Sequence, residues 1–254
     1  MICVDDFMEH IVVFDTETTG LSPTRNGILA LGAVDMATGD RFYEECRVDP
    51  DTELNSYAFG VNGFSEADAR DPKKENVAEL AKHFEAWCKA HNATVVAGYN
   101  VRFDIAFLKS ALAKHGMAWD LPDKYVDVEE VYMHEIFNNP LFSDEVNRYM
   151  LREEGGKSLN AIKMDRALES LGVGKEPKPH NALRGALYCA ELLSLMLYAK
   201  HVSAEFAGYP VDQKLNQVSI DIQKHIRGIA DVEIKEYQMA SLAEELSKGY
   251  ERRA

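Results

Sequence analysis

Residues 11–20 of the chain read IVVFDTETTG. The first four residues of this stretch form the continuous apolar, β-prone run that is typical of a strand buried on both faces. Because side chains alternate along a strand, Asp15 and Glu17 lie on the same side of it and Thr16 points into the opposite layer. Gly20 lets the chain turn closely after the strand. The stretch therefore predicts two carboxylates at the carboxyl end of a central strand.

Strands and helices alternate after this opening. Further strands are predicted over 27–36, 41–48, 94–97 and 125–131. Helices are predicted over 75–91, 102–115, from Ser158 to Leu171, and over 183–197. A hairpin turn at residues 38–40 joins the second and third strands, so the sheet begins as a meander of three strands. The alternation that follows predicts an α/β domain.

The character of the chain changes beyond residue 200. Gly208, Tyr209 and Pro210 interrupt it, and two weakly amphipathic stretches follow over 211–229 and 232–250 without a catalytic signature. We expect a domain over 1–200 and a helical C-terminal extension over 201–254. Packing of this extension on the domain is favoured over a role as an oligomerisation or partner arm, because charged helices of this kind are usually solvated faces.

The composition is that of an ordinary soluble chain. Of 254 residues, 46% are apolar and 28% charged, and no apolar run approaches the roughly 20 residues that cross a bilayer. The acidic N-terminus does not resemble a signal or transit peptide. The four cysteines are scattered without a CxxC spacing, which favours reduced thiols and a cytoplasmic location.

Two later segments carry chemistry. Residues 100–104 read NVRFD and place Asp104 one turn into a helix, where an acidic residue alone would only complement the helix dipole. Residues 180–186 read HNALRGA, and His180 lies in a proline-rich loop ahead of the last helix of the domain. A lone loop histidine is more often merely solvated, although its near-neutral pKa suits it to accept a proton from water.

Together and in this order, the three segments resemble the three exonuclease motifs of the DEDDh (DnaQ-like) 3′→5′ exonucleases, the group of proofreading subunits and ribonuclease T. The resemblance covers roughly residues 10–199. It implies a ribonuclease-H-like fold, with a mixed five-stranded sheet and helices on both faces. It also implies that Asp15, Glu17 and Asp104 hold Mg²⁺ or Mn²⁺ in a two-metal site, and that Glu17 and His180 are catalytic, His180 as the general base.

The resemblance also implies contacts with a terminal nucleotide. The amides and hydroxyls of the turn after the first strand would face it, and three apolar side chains would wedge or stack its base. Core packing is the alternative for each apolar side chain. The predicted substrate-binding residues are Thr18, Thr19, Gly20, Leu21, Phe64, Asn100 and Phe103.

Gly185 departs from the family pattern. The third motif of the family places a metal-binding Asp here, and glycine offers no ligand. Three interpretations stay open: a natural loss in a protein that binds ends without cutting them well, an inactivating change, since Asp to Gly needs one base change, or a shifted helix register that recruits another acid. Substitution by Glu191, Asp165 or Glu169 is considered and not favoured.

The sequence thus favours a metal-dependent 3′→5′ exonuclease that releases nucleoside monophosphates from single-stranded or frayed 3′ ends of DNA or RNA. The alternative is a catalytically silent exonuclease fold that binds nucleic-acid ends or serves in a replication or repair assembly. A weaker third possibility is a non-nuclease acidic protein that meets the motifs by chance. The net charge of −14 favours recognition of a few terminal nucleotides over a long backbone. No membrane partner is expected; a homodimer or a polymerase or repair partner would bind through 201–254.

Overall fold

A computed structural model describes residues 10–142 and 162–230 of the chain, without the side chains of 225–230. Three features of the sequence lie outside the described residues: the acidic N-terminus, Ser158, and the amphipathic stretch over 232–250. The helix predicted from Ser158 to Leu171 is wrong for residues 162 and 163, which are not helical and precede a helix over Met164–Ser170. In the described part, no helix is both long enough and apolar enough to cross a membrane. Cys46, Cys88 and Cys189 are buried free thiols.

The core of the molecule is a five-stranded mixed sheet with the strand order β3-β2-β1-β4-β5. The strands are β1 (Ile11–Thr18), β2 (Ile28–Asp35), β3 (Arg41–Glu45), β4 (Val95–Gly98) and β5 (Lys124–Asp127). β1 is antiparallel to β2 and parallel to β4, and β4 is parallel to β5. The predicted meander and mixed sheet are therefore confirmed, with β1 at the centre.

The helices pack against both faces of this sheet. They are α1 (Ser56–Asn62), α2 (Glu66–Ala69), α3 (Val77–Ala90), α4 (Val101–Lys114), α5 (Val128–Tyr132), α6 (Met164–Ser170), α7 (Ala182–Tyr198) and α8 (Leu215–Ala230). A π-helical turn (Met133–Phe137) follows α5, and a 3₁₀ turn (Ala204–Phe206) precedes α8.

Residues of β1 alternate between two buried clusters. Ile11 and Val13 belong to the cluster that α7 dominates, whereas Val12 and Phe14 belong to the cluster of α3 and α4. All four are at most 1% exposed, as expected for a strand with helices on both faces. This burial explains why the opening run is continuously apolar.

The fifth strand is shorter than predicted. The sequence predicts a strand over 125–131, but β5 ends at Asp127 and the helix α5 follows immediately. The cause is the Asp127 carboxylate, which accepts a hydrogen bond from the backbone N–H of Glu129 at 3.1 Å and caps α5. The prediction is wrong for residues 128–131 because apolar residues there face the core from a helix. The third strand is also shorter, ending at Glu45 instead of Val48.

Residues after α7 pack against the same core. Phe206, Leu215 and Ile222 are buried in the cluster that α7 dominates. Glu191 of α7 is fully buried, and it binds the His201 ring at 2.6 Å and accepts the N–H of Val202 at 2.9 Å. The described part of the extension thus covers the domain, while the boundary at residue 200 stays a prediction.

Candidate active site

Three carboxylates meet where β1 ends. Asp15 and Glu17 stand on the same side of β1, and Asp104 lies in the first turn of α4. Asp104 Oδ1 accepts hydrogen bonds from the backbone N–H of Thr16 at 3.0 Å and from its hydroxyl at 2.6 Å. Thr16 therefore fastens the second predicted motif to the first. Glu17 and Asp104 are buried, and Asp15 is half-buried.

Burial and neighbouring negative charge raise the pKa values of all three carboxylates. Burial, and next the charge of Asp104, raises the pKa of Asp15 well above its usual range. Burial raises the pKa of Glu17 to about 7, against an opposing effect of His180. Burial likewise raises the pKa of Asp104 to about 7, although the Thr16 hydrogen bonds favour its ionised form. Concentrated negative charge of this kind is the environment in which a cation binds.

His180 lies beside this cluster, in the loop that leads into α7. Its backbone N–H donates to the carbonyl of Val61 at 3.2 Å, and its ring Nδ1 lies 2.8 Å from Oε2 of Glu176. The Glu176 hydrogen bond raises the pKa of His180 above its ordinary value, and the charge of Glu17 acts in the same direction. The structure therefore brings together the two residues that the sequence predicts as catalytic, Glu17 and His180.

Gly185 faces Asp15 directly across the contact between α7 and β1. A Cβ atom on Gly185 would lie 2.2 Å from Oδ2 of Asp15 and 2.9 Å from its Cγ. The Asp15 carboxylate thus fills the space where a side chain at 185 would begin. Gly185 thus offers no side-chain ligand beside Asp15, and the register of α7 does not bring Glu191, the one acid of this helix, to this point.

The acids considered as substitute ligands form hydrogen bonds or ion pairs with other residues. Glu191 binds His201 and Val202 on the far side of α7. Glu169 pairs with Lys175 at 3.1 Å and Arg166 at 3.5 Å, and Asp165 accepts the backbone N–H of Glu176 at 3.1 Å.

The acid that does approach the cluster is Glu176, which the sequence reasoning missed. It is 4% exposed, and its charge raises the pKa of both Asp15 and Glu17. The one available signal is an acidic residue four positions before His180 in a loop.

The residues predicted to contact substrate are placed around this edge. The Thr18 hydroxyl donates to the carbonyl of Gly20 at 2.7 Å, and the Thr19 hydroxyl, fully buried, donates to that of Glu53 at 2.8 Å. These hydroxyls therefore shape the turn, with Leu21 half-buried just beyond it. Their predicted contacts with a nucleotide stay predictions.

Of the remaining three, Phe64 and Asn100 lie in the loops beside α1 and α4, and Phe103 lies in the first turn of α4. Asn100 has a positive φ of 59° and donates its N–H to Asp127 at 3.0 Å. Phe64 and Phe103 are both half-buried; Phe103 packs 4.8 Å from the Phe107 ring, between centroids, and Lys74 Nζ lies 5.1 Å from the centre of the Phe64 ring. Their roles in stacking bases also stay predictions.

The donor set fits a hard divalent cation by its chemistry, because it consists of buried carboxylates that raise one another's pKa. Within residues 10–142 and 162–230, no group of three or more His, Cys, Asp or Glu is already arranged to hold a metal ion. The assignment of Asp15, Glu17 and Asp104 as metal ligands stays a prediction.

Comparison with known families decides the class of this site. The model of the RNase T exonuclease family matches residues 12–193, which include all three motifs. The chain belongs to this exonuclease family. The predicted DnaQ-like relationship and the ribonuclease-H-like fold are thereby confirmed.

Two PolC-type polymerases are similar to the chain in sequence. The chain is 32% identical over 123 residues, 47% of its length, to the PolC-type DNA polymerase III of Lacticaseibacillus paracasei, and spans 8% of that protein. It is 26% identical over 228 residues, 78% of its length, to the PolC-type DNA polymerase III of Latilactobacillus sakei, of which it spans 15%. The chain thus corresponds to a small part of these polymerases.

Solved structures share the fold. The nuclease domain of 3′hExo, a DEDDh family member bound to rAMP, aligns with a TM-score of 0.55 at 17% identity, over 74% of this chain and 92% of that one. A zinc-bound complex of Escherichia coli exonuclease I with single-stranded DNA aligns with a TM-score of 0.53 at 18% identity, over 73% of this chain and 40% of that one.

Proposed function

We propose that this protein is a metal-dependent 3′→5′ exonuclease that releases nucleoside monophosphates from 3′ ends. The observation that carries the proposal is the meeting of Asp15, Glu17 and Asp104 at the end of β1, with His180 interacting electrostatically with Glu17. Acids clustered beside a histidine are suited to phosphodiester hydrolysis, which needs both charge neutralisation and a proton acceptor.

Each residue has a distinct role in this proposal. Asp15, Glu17 and Asp104 would hold Mg²⁺ or Mn²⁺, and such an ion would acidify a bound water and offset charge on the leaving 3′ oxygen. Thr16 keeps Asp104 in reach of β1 through two hydrogen bonds. His180 takes the proton of the attacking water, and Glu17 stabilises the imidazolium that results.

The proposed substrate is a single-stranded or frayed 3′ end of DNA or RNA. The net charge of −14 disfavours a long electrostatic track along a backbone, so binding would be concentrated on the terminal nucleotides. The similarity to parts of PolC-type polymerases supports a replication or repair partner, and residues 201–254 are the proposed contact with it or with a second copy. A cytoplasmic location stays part of the proposal.

Gly185 supports a second candidate function. Because the position opposite Asp15 offers no ligand, the protein would bind nucleic-acid ends and cut them slowly or not at all. In this form it would act as an end-binding subunit of a replication or repair assembly.

Digestion of a 3′-labelled oligonucleotide with Mn²⁺ separates the two functions. The chain is compared with its Gly185→Asp form, and Asp104→Asn serves as the inactive control that keeps the Thr16 hydrogen bonds. Digestion by the unsubstituted chain at a rate close to that of Gly185→Asp would eliminate the silent function. If Gly185→Asp digests the oligonucleotide and the unsubstituted chain does not, the unsubstituted chain is catalytically silent. No digestion by either form would refute the exonuclease proposal.

A further inference from the structure

The loop before α7 contains a buried carboxylate that none of the three motifs includes. Glu176 is 4% exposed, although it belongs to a connection between two helices, where acidic side chains normally face water. Its Oε2 lies 2.8 Å from Nδ1 of His180, and its Oε1 accepts the N–H of Asn181 at 3.2 Å. Both oxygens therefore bind the segment that carries the proton acceptor.

The surrounding chain holds Glu176 in place from both sides. Its own N–H donates to Oδ1 of Asp165, at the start of α6, at 3.1 Å. Asn181, which it binds, caps α7 by accepting the N–H groups of Leu183 and Arg184. A continuous series of hydrogen bonds thus runs from α6 through Glu176 to the first turn of α7.

The contact determines which nitrogen of the His180 ring faces the reaction. A carboxylate accepts hydrogen bonds and cannot donate, so Nδ1 must carry the hydrogen that lies between it and Oε2. Within the described part of the chain, Nε2 has no hydrogen-bond partner. Nε2 is therefore left with its lone pair free, as a proton acceptor requires.

We propose that Glu176 is a positioning residue that fixes the His180 ring with Nδ1 protonated and Nε2 free to take the proton of the attacking water. This inference rests on the proposed function of His180 and deepens it. In the proton transfer, the water O–H bond breaks and an Nε2–H bond forms, while the hydrogen on Nδ1 remains bound to Glu176. The buried carboxylate then faces an imidazolium, whose positive charge it stabilises.

The contacts of Glu176 fit this positioning role better than a role as a fourth metal ligand. Three charged groups face His180: Glu17 from β1, Asp165 from α6 and Glu176 from its own loop. Both Glu176 oxygens are occupied by His180 and Asn181, so using one as a metal ligand would cost one of these bonds.

The direct test reads the tautomer of His180 in the metal-free chain of 254 residues by ¹⁵N NMR of its histidine rings. The His180 signals are assigned by their loss in His180→Gln, because the chain has eight histidines. At a pH where the ring is neutral, we expect the unsubstituted chain to show protonated Nδ1 and unprotonated Nε2. Glu176→Ala should shift the ring toward the Nε2-protonated form. Glu176→Gln, whose amide still accepts from Asn181, should weaken the Nδ1 preference and serves as the variant that keeps the fold.

The kinetic test uses the Gly185→Asp background, in which the fourth ligand is restored. We expect Glu176→Ala and Glu176→Gln to lower kcat by about 10–100-fold with little change in KM. The matched control is Glu169→Gln, which removes an acid that pairs with Lys175 next to this loop and should leave both the tautomer and kcat unchanged.

Each outcome is decisive. An unchanged tautomer in both Glu176 variants would overturn the inference, and an unchanged tautomer together with weaker Mn²⁺ binding would identify Glu176 as a metal ligand instead. If Gly185→Asp fails to digest any oligonucleotide, the proposed function is refuted, while the tautomer measurement still reports whether Glu176 sets the His180 ring.

Discussion

At the scale of single residues, Gly185 determines how the site is filled without metal. Its missing side chain leaves room that the Asp15 carboxylate occupies, since a Cβ there would come within 2.2 Å of Oδ2. Any larger residue must rotate the end of Asp15 away. This rotation is inexpensive for an alanine, but an aspartate also adds another acidic group to a buried cluster whose pKa values are already raised.

The stability of Gly185 variants should therefore depend on metal. We expect Gly185→Asp to lower the free energy of unfolding of the metal-free protein by about 1–3 kcal/mol, because an added buried charge has no partner. Gly185→Ala should be close to neutral, since about 1 kcal/mol of helix propensity offsets the displacement of Asp15. Denaturant unfolding in EDTA measures both. Mn²⁺ should then raise the Tm of Gly185→Asp more than that of the unsubstituted chain; an equal rise would contradict the assignment of position 185 to the metal site.

Asp127 is a second residue whose ionisation lowers the stability of the folded protein. It caps α5 and binds the N–H groups of Asn100 and Glu129, yet burial raises its pKa from 3.8 to about 6 against the attraction of Arg102. Because the folded state holds this proton more tightly than the unfolded chain, the stability contribution is complete below about pH 4 and is lost as pH rises through 6.

Replacement of Asp127 should separate its charge from its hydrogen bonds. We expect Asp127→Asn to unfold less pH-dependently between pH 4 and 7 than the unsubstituted chain, and to be at least as stable at pH 8, because the amide oxygen still caps α5. Asp127→Ala should lose about 1–2 kcal/mol at every pH, since two backbone N–H groups lose their acceptor. Urea unfolding across this pH range is the measurement, and a steeper pH dependence in Asp127→Asn would contradict the burial argument.

At the scale of elements, the approach of α7 to the sheet depends on one glycine in β2. Gly32 pairs with Asp15 across β1 and β2, and a Cβ on it would lie 2.1 Å from the backbone N of Leu183 in the first turn of α7. Backbone atoms cannot rotate away as a side chain can. Gly32 thus permits the close contact that brings the α7 N-terminus and His180 to the carboxylates.

Gly32→Ala should push α7 off the sheet. We expect a loss of about 2–4 kcal/mol in the free energy of unfolding, at or above the usual cost of overpacking, because a whole helix must move. Nuclease activity in the Gly185→Asp background should fall as well, since the helix positions His180. Gly60→Ala is the control: its Cβ would meet nothing within 4 Å, and alanine in α1 should add up to about 1 kcal/mol. Equal stabilities of the two variants would refute the close-contact argument.

Features that depend on neighbouring residues could be predicted from the sequence, whereas features that depend on residues distant in the sequence could not. Asp15 and Glu17 share a face because strands alternate every second residue, and this local rule is visible in the sequence. The early end of β5 is not, because apolar residues after Asp127 fit a strand and a helix equally well. Glu176 and Gly32 also escape sequence reasoning, since each acts on a residue that only the folded chain brings close.

At the scale of the whole molecule, the carboxylate cluster makes stability depend on metal and pH together. The pKa values of Glu17 and Asp104 are both raised to about 7 by burial. Their contributions to stability are complete at low pH and are lost as pH rises through 7, because ionisation places unpaired charge in the core.

In EDTA, the Tm of the unsubstituted chain should therefore fall between pH 6 and pH 8.5, and saturating Mn²⁺ should reduce this fall by binding the ionised carboxylates. Differential scanning calorimetry at several pH values measures both effects. Asp104→Asn, which keeps an oxygen for Thr16, is the matched control and should show a shallower fall. A metal-free Tm that rises over this interval would contradict the electrostatic description of the site.

The net charge of −14 makes a final prediction about how the molecule holds nucleic acid. A chain this acidic gains little from each additional phosphate, so the non-cleaving Asp104→Asn variant should bind oligonucleotides of about 5 and about 20 nucleotides with similar affinity. The slope of log affinity against log salt should stay at about −0.7 to −1.4, the value for one or two phosphate contacts with a single strand. Fluorescence anisotropy measures both quantities. A circular single strand of the same composition, which offers the same backbone without a 3′ end, should compete poorly; equal competition by the circle would mean that the protein tracks backbone and does not recognise ends.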